Sequence, residues 1–219
     1  MRVFAGVFDL ADFPHSLDPI IQVGQREGWD VFNTISIGNE LVQKTTTTTP
    51  AQMIKSVTDA LGTARHILRG KGYAGPVVTV DTYAILLQHP ELCAASDYCA
   101  ANCHVFFDAT QRPDQAGGYA LDVARRISKK AGGKRTVIAE SGWPHAGIPN
   151  GKAVPGVDEH NAAVGSLKKS FGGGGGPPGG DSGEEVGGDA DLVLFTAFDD
   201  LWKQDNEGTF QAEKFWGVI

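Results

Sequence analysis

The sequence predicts an α/β fold of six parallel strands, and three observations predict it. Short apolar segments recur along the chain, each bounded by glycine or polar residues, as strands buried on both faces are. Helical patterns fall between them, so strand and helix alternate in the manner of parallel βα units. Length then limits the count. Setting aside 17 residues of a glycine-rich stretch at 172–188 leaves 202 of 219, about six units of ~33 residues each. A complete eight-unit barrel usually needs ~250 residues, which leaves an open six-stranded sheet or a barrel short of two units.

The strand candidates, in order, are Val3–Phe8, Thr34–Ile37, Val77–Val80, Val105–Phe107, Thr136–Ala139 and Leu192–Phe195. After the first, Asp18-Pro19 reads as an N-cap with proline at the first helical position, opening a helix to about Glu27. Thr49-Pro50-Ala51-Gln52 is a capping-box pattern, and Ile54, Val57, Leu61, Ala64 and Leu68 continue it as an apolar stripe. From about Gln115 to Ala131, the residues Ala120, Val123, Ala124, Ile127 and Ala131 share one face, with Arg125, Arg126, Lys129 and Lys130 mostly outward. A last helix is predicted from about Glu159 to Ser170. The stretch 172–188 holds 10 of the 29 glycines and almost nothing apolar, so it reads as a flexible insert rather than part of the core.

Composition excludes several classes of function. With 19 basic and 26 acidic residues the net charge is -7, the wrong sign for tracking nucleic-acid phosphates. No run of 18 apolar residues exists to span a membrane, and the N-terminus does not read as a signal peptide. Cys93, Cys99 and Cys103 lack the spacing of a zinc site and predict either one short disulfide with a free thiol or three buried thiols. The scattered histidines His15, His66, His89, His145 and His160 suggest no metal either.

Chemistry enters with two carboxylates. Ile35-Ser36-Ile37 is followed by Gly38-Asn39-Glu40, and Val137-Ile138-Ala139 by Glu140-Ser141-Gly142-Trp143-Pro144. Each glutamate stands at the C-terminal end of a buried strand, where parallel βα folds build their active sites. The pair lies 100 residues apart in sequence, three units of ~33. Paired carboxylates suit glycosidic hydrolysis, in which one donates a proton to the leaving oxygen while the other attacks the anomeric carbon or activates water.

The strings Ser36–Glu40 (SIGNE) and Ala139–Pro144 (AESGWP) resemble the catalytic signatures of glycoside hydrolase family 17, the β-1,3-glucanases. Ala197–Lys203 (AFDDLWK) is similar to the eighth-strand motif of the fungal branch, and Val80–Tyr83 and Asn102–Asp108 resemble its fifth and sixth strands. The resemblance covers essentially the whole chain except the glycine-rich insert.

What the resemblance implies is a (β/α)8 TIM-type barrel in which Glu40 is the acid/base and Glu140 the nucleophile. Retention of anomeric configuration follows, with carboxyl groups roughly 5–5.5 Å apart, and a second sugar in place of water gives transglycosylation. Asn39 is expected at the sugar 2-hydroxyl, Trp143 and Trp202 as stacking faces, Tyr83 and His104 as hydrogen-bond partners of nucleophile or substrate, and Asp199 as a hydroxyl ligand or an orienting group. Arg2, Trp29 and Trp216 read as structural. The expected partner is β-1,3-glucan, polymer or oligosaccharide, acted on without a cofactor and, if the barrel is complete, by a monomer. The expected location is secreted or cell-wall.

If Val3–Phe8 is the third strand of the barrel, the first two βα units are absent from this sequence, although residues 1–219 otherwise form one catalytic barrel. An incomplete barrel exposes strand edges and part of its core. That supports an alternative expectation: a β-glucan-binding wall protein with little or no activity.

Overall fold

The computed structural model describes residues 2–172 and 191–218. Its strands are β1 (Val3–Val7), β2 (Phe32–Asn39), β3 (Val77–Thr82), β4 (Cys99–Asn102), β5 (Thr136–Ser141) and β6 (Asp191–Leu194). Its helices are α1 (Asp18–Glu27), α2 (Pro50–Gly70), α3 (Tyr83–Gln88), α4 (Pro90–Ala95), α5 (Ala116–Lys130) and α6 (Val157–Phe171). The strands follow chain order in one sheet, β1-β2-β3-β4-β5-β6. Parallel register is explicit where Ala5 faces Ile35, Ile35 faces Val77 and Ile138 faces Leu192. This is the expected α/β architecture, each parallel step needing a crossover connection. The glycine-rich insert lies, from residue 173 on, outside the described residues.

By packing, the chain divides into two compact units, Met1–Ala101 with Ile127–Arg135, and Asn102–Arg126 with Thr136–Ile219. In the first, β2 and β3 are buried nearly throughout, so Thr34, Ile35 and Ile37 of β2 and Val77–Val80 of β3 are covered on both faces. The apolar stripe of α2 (Ile54, Val57, Leu61, Ala64 and Leu68) is wholly buried there. Its start is the predicted capping box: Thr49 Oγ1 accepts from the Gln52 amide while Gln52 Oε1 accepts from the Thr49 amide. In the second unit, Ala120, Val123 and Ala124 of α5 are buried, as are Ala163 and Leu167 of α6.

Two expectations about elements are corrected. The fourth strand is Cys99–Asn102, whereas Val105–Phe107 forms a 3₁₀ turn just beyond it. Cys-Ala-Ala-Asn has low strand propensity, but its small side chains fit a strand covered on both faces, and every one is buried. Val105 and Phe106 are apolar because they plug the core beyond the strand end. At α1 the capping position is Leu17, without a side-chain bond, and Asp18 is already helical. Cys93 at α4 is disulfide-bonded to Cys99 at the start of β4, their Cα atoms 4.8 Å apart, and Cys103 is a buried free thiol. Of the two cysteine arrangements left open, the first is therefore realised.

Candidate active site

Glu40 is presented by a sharp exit from β2. Gly38 has φ 82°, and a Cβ there would lie 2.7 Å from Leu41 Cδ1, so only glycine serves. Glu40 itself has φ 57°, a left-handed conformation that costs a non-glycine residue about 1–2 kcal/mol. The neighbouring backbone offsets that strain: the Asn39 amide donates to the Phe8 carbonyl and the Glu40 amide to the Val80 carbonyl, both at 2.9 Å. The Glu40 side chain is 17% exposed, and its Oε2 lies 2.9 Å from Lys44 Nζ. That ammonium also sits 5.5 Å above the ring of the exposed Phe8.

Beneath this turn lies Asp81, 2% exposed at the end of β3. Its carboxylate accepts from the Val42 amide at 3.0 Å and the Thr82 amide at 2.8 Å, so it ties down the chain just after Glu40. Burial pushes the Asp81 carboxyl above its ordinary value, and the charge of Glu40 adds to that rise against the opposing amide bonds. Asp81 appears in the sequence only within a resembling string. Its position directly after the strand run Val77–Val80 is the signal for a buried carboxylate.

Glu140 is the fifth residue of β5, in the second compact unit. His104, just past β4, donates from Nε2 to Glu140 Oε2 at 3.2 Å. Only the tautomer with its proton on Nε2 makes this bond. The imidazole stands edge-on to Phe195 and Trp216, each 5.0 Å between centroids, and its buried Nδ1 has no partner among the described residues. The Cys103 amide donates to the Glu140 carbonyl at 2.8 Å, fixing the backbone from the β4 side. His104 is thus held by apolar packing, with its one polar contact directed at the carboxylate.

The other predicted residues fall into distinct environments. Asn39 and Tyr83 are half-buried, at the end of β2 and the start of α3. Trp202 follows β6 and is 79% exposed, with Phe198 and Leu201 exposed beside it. Trp143 is the correction: it is 0% exposed, its indole N–H donates to the Val154 carbonyl at 2.8 Å, and Phe106 packs edge-on to it. A ring enclosed in this way has no face to offer a sugar. Asp199 accepts from His145 Nε2 and from the Gly217 amide. Burial pushes its carboxyl up, but those two bonds together with the nearby His145 and His160 imidazoles hold it below its ordinary value. Trp29 and Trp216 pack in aromatic clusters, as structural residues do.

With a strand-end glutamate, a histidine bonded to it and an exposed tryptophan loop in place, comparison with known proteins identifies the family. A family model described as the BtgE/BtgC glycoside hydrolase domain matches residues 1–217. The chain belongs to this family.

Among its relatives, it is 38% identical over 219 residues to the cell surface mannoprotein MP65 of Candida albicans, a match covering 99% of this chain and 52% of that protein. It is 36% identical over 220 residues to the probable family 17 glucosidase SCW10 of Saccharomyces cerevisiae, covering 100% of this chain and 50% of that protein. The chain spans about half the length of the curated relatives it matches. Its fold is similar to that of the family 17 β-1,3-glucanosyltransferase of Rhizomucor miehei, with a TM-score of 0.71 at 19% identity over all of this chain and 72% of that one. The resemblance to glycoside hydrolase family 17 therefore holds at the level of sequence relatives and of fold. Among the described residues, no group of three or more His, Cys, Asp or Glu side chains is arranged to hold a metal ion, and no helix is long and apolar enough to cross a membrane.

Proposed function

We propose that this chain is a retaining glycoside hydrolase acting on β-1,3-glucan, with transglycosylation as a second outcome, in remodelling of a fungal-type cell wall. The observation that carries the reading is Glu140 at the C-terminal end of β5 with its Oε2 held by His104. A carboxylate so oriented keeps Oε1 for attack on the anomeric carbon, and the imidazole N–H stabilises it again when the glycosyl–enzyme bond breaks. Glu40, at the corresponding end of β2, is assigned the proton that the leaving oxygen takes. It then recovers that proton from water, or from the hydroxyl of a second sugar.

The remaining roles follow from exposure and bonding. Trp202 presents a ring to stack a glucose unit, Asn39 is assigned the 2-hydroxyl, and Tyr83, half-buried at the start of α3, is assigned a hydrogen bond to the substrate. Asp199, already engaged by two donors, orients its loop rather than binding a hydroxyl. The substrate assignment is supported by a structure of similar fold, an active-site mutant of the Rhizomucor miehei β-1,3-glucanosyltransferase in complex with laminaritriose. The cell-wall location is supported by the cell surface mannoprotein among the relatives.

The test is Glu140→Gln. The variant should fold as the wild type does and lose more than about a thousandfold in turnover of laminarin. An unchanged rate would overturn the assignment. Wild-type protein that retains insoluble β-1,3-glucan in a pull-down without releasing sugar would favour the glucan-binding alternative.

A further inference from the structure

We infer that His145 is a positioning residue: through Asp199 it fastens the loop carrying Trp202 to the segment that follows Glu140. The inference rests on the reading of Trp202 as a sugar platform. Every group it uses lies within the second compact unit.

His145 stands five residues after Glu140, its ring edge-on to Phe215 and His160, and is attached by hydrogen bonds from its backbone and its side chain. Its amide donates to the Phe215 carbonyl at 2.8 Å, and its Nε2 donates to the two carboxylate oxygens of Asp199 at 2.9 and 3.0 Å. Asp199 Oδ1 also accepts the Gly217 amide at 2.9 Å. A Cβ on Gly217 would lie 2.8 Å from that oxygen and 2.7 Å from the Asp199 nitrogen, so glycine is what permits the approach. One carboxylate therefore gathers three segments: the run after β5, the loop after β6 and the C-terminal turn.

The loop has other fastenings, and they distinguish its folding from its placement. The Asp200 amide donates to the Lys214 carbonyl, and Lys203 Nζ pairs with Asp200 at 3.0 Å while lying 4.7 Å above the Phe195 ring. These tie the loop to its own strand and to the C-terminal segment. Among the described residues, the side chain that hydrogen-bonds to it from the Glu140 side is His145. Removing the imidazole leaves the loop folded and still anchored at its start, where the Phe195 amide donates to the Ser141 carbonyl at 2.8 Å, but loosens the stretch from Asp199 to Trp202 relative to the segment after Glu140. A glucan stacked on Trp202 must then restore that alignment out of its own binding energy. His145 has no contact with Glu140 or His104 among those described, so the chemical step keeps its groups.

The test compares His145→Ala with His145→Gln, whose amide can still donate to Asp199. On laminari-oligosaccharides, Ala should raise KM about five- to tenfold with kcat held within about twofold, and Gln should restore most of the loss. Equal behaviour of the two variants, or a fall in kcat without a change in KM, would overturn the inference. Hydrogen–deuterium exchange over residues 195–203 decides the fastening without any activity. It should quicken in Ala and stay near wild type in Gln, and unchanged exchange in Ala refutes the fastening whatever the kinetics. Wild-type protein that turns over no glucan would instead count against the hydrolase reading, with the exchange result standing separately.

Discussion

Replacing His104 with phenylalanine separates the chemistry of this residue from its packing. The imidazole touches Glu140 through one bond, Nε2 to Oε2 at 3.2 Å, and is otherwise enclosed by the rings of Phe195, Trp216 and Phe107. A hydrogen bond to a charged acceptor contributes about 1.5–3 kcal/mol, and the length of this one places it at the lower end, about 1.5 kcal/mol. At about 1.4 kcal/mol per factor of ten, His104→Phe should lose about tenfold in kcat/KM. Stability should move by less than ~1 kcal/mol, because phenylalanine fills the same aromatic nest and the lost Nδ1 leaves behind no partner among the described residues. His104→Gln should recover part of the rate by keeping an N–H donor. The assay is release of reducing ends from laminarin beside a thermal melt of each variant. A His104→Phe enzyme at wild-type rate would refute the reasoning, as would a collapse in melting temperature that Gln shares.

Three further outcomes are expected. Burial pushes the Cys103 thiol from 9.0 up to about 12, so its thiolate fraction falls ~10³-fold, and iodoacetamide should label it only after unfolding. The Cys93–Cys99 bridge spans a sequence separation of 6, and removing it as a double serine variant should cost about 2 kcal/mol, or roughly 4–8 °C in melting temperature. Asp81 holds its proton more tightly folded than unfolded, so its contribution to stability is full below the ordinary carboxylate value and is lost as pH rises through the raised one. Urea melts should therefore show the stability of wild type relative to Asp81→Asn declining as pH rises above about 4, and a constant difference would contradict it.

The parts of the fold legible in the sequence are those whose local and tertiary demands coincide. In α2, capping box and apolar stripe point to one helix, and the structure buries that stripe. Both glutamates are legible because an apolar strand followed at once by a carboxylate marks a strand end, and Gly38 marks the sharp exit. The fourth strand was hidden because Cys99–Asn102 is chosen for small size under cover on both sides, while the stronger strand formers Val105–Phe107 serve as a plug. Helices α3 and α4 are only six residues each, too short to display a period.

Trp143 and Trp202 were indistinguishable as sequence, each an aromatic residue beyond a strand end. What separates them is tertiary: the Val154 carbonyl captures one indole inside the core, while the other is left largely exposed. His145 was one of several scattered histidines until folding brought Asp199 to it from 54 residues away. Such pairings depend on which segments meet, and no periodicity records that.

If Glu140 is the nucleophile, it must form a covalent bond to sugar. The most direct test is peptide mass mapping after incubation with a fluorinated β-1,3-glucosyl substrate that forms the glycosyl-enzyme readily and hydrolyses slowly. We predict a single adduct on the peptide containing Glu140, absent in Glu140→Gln. An adduct on any other carboxylate, or steady turnover of unmodified laminarin by an enzyme that never accumulates one, would contradict the assignment.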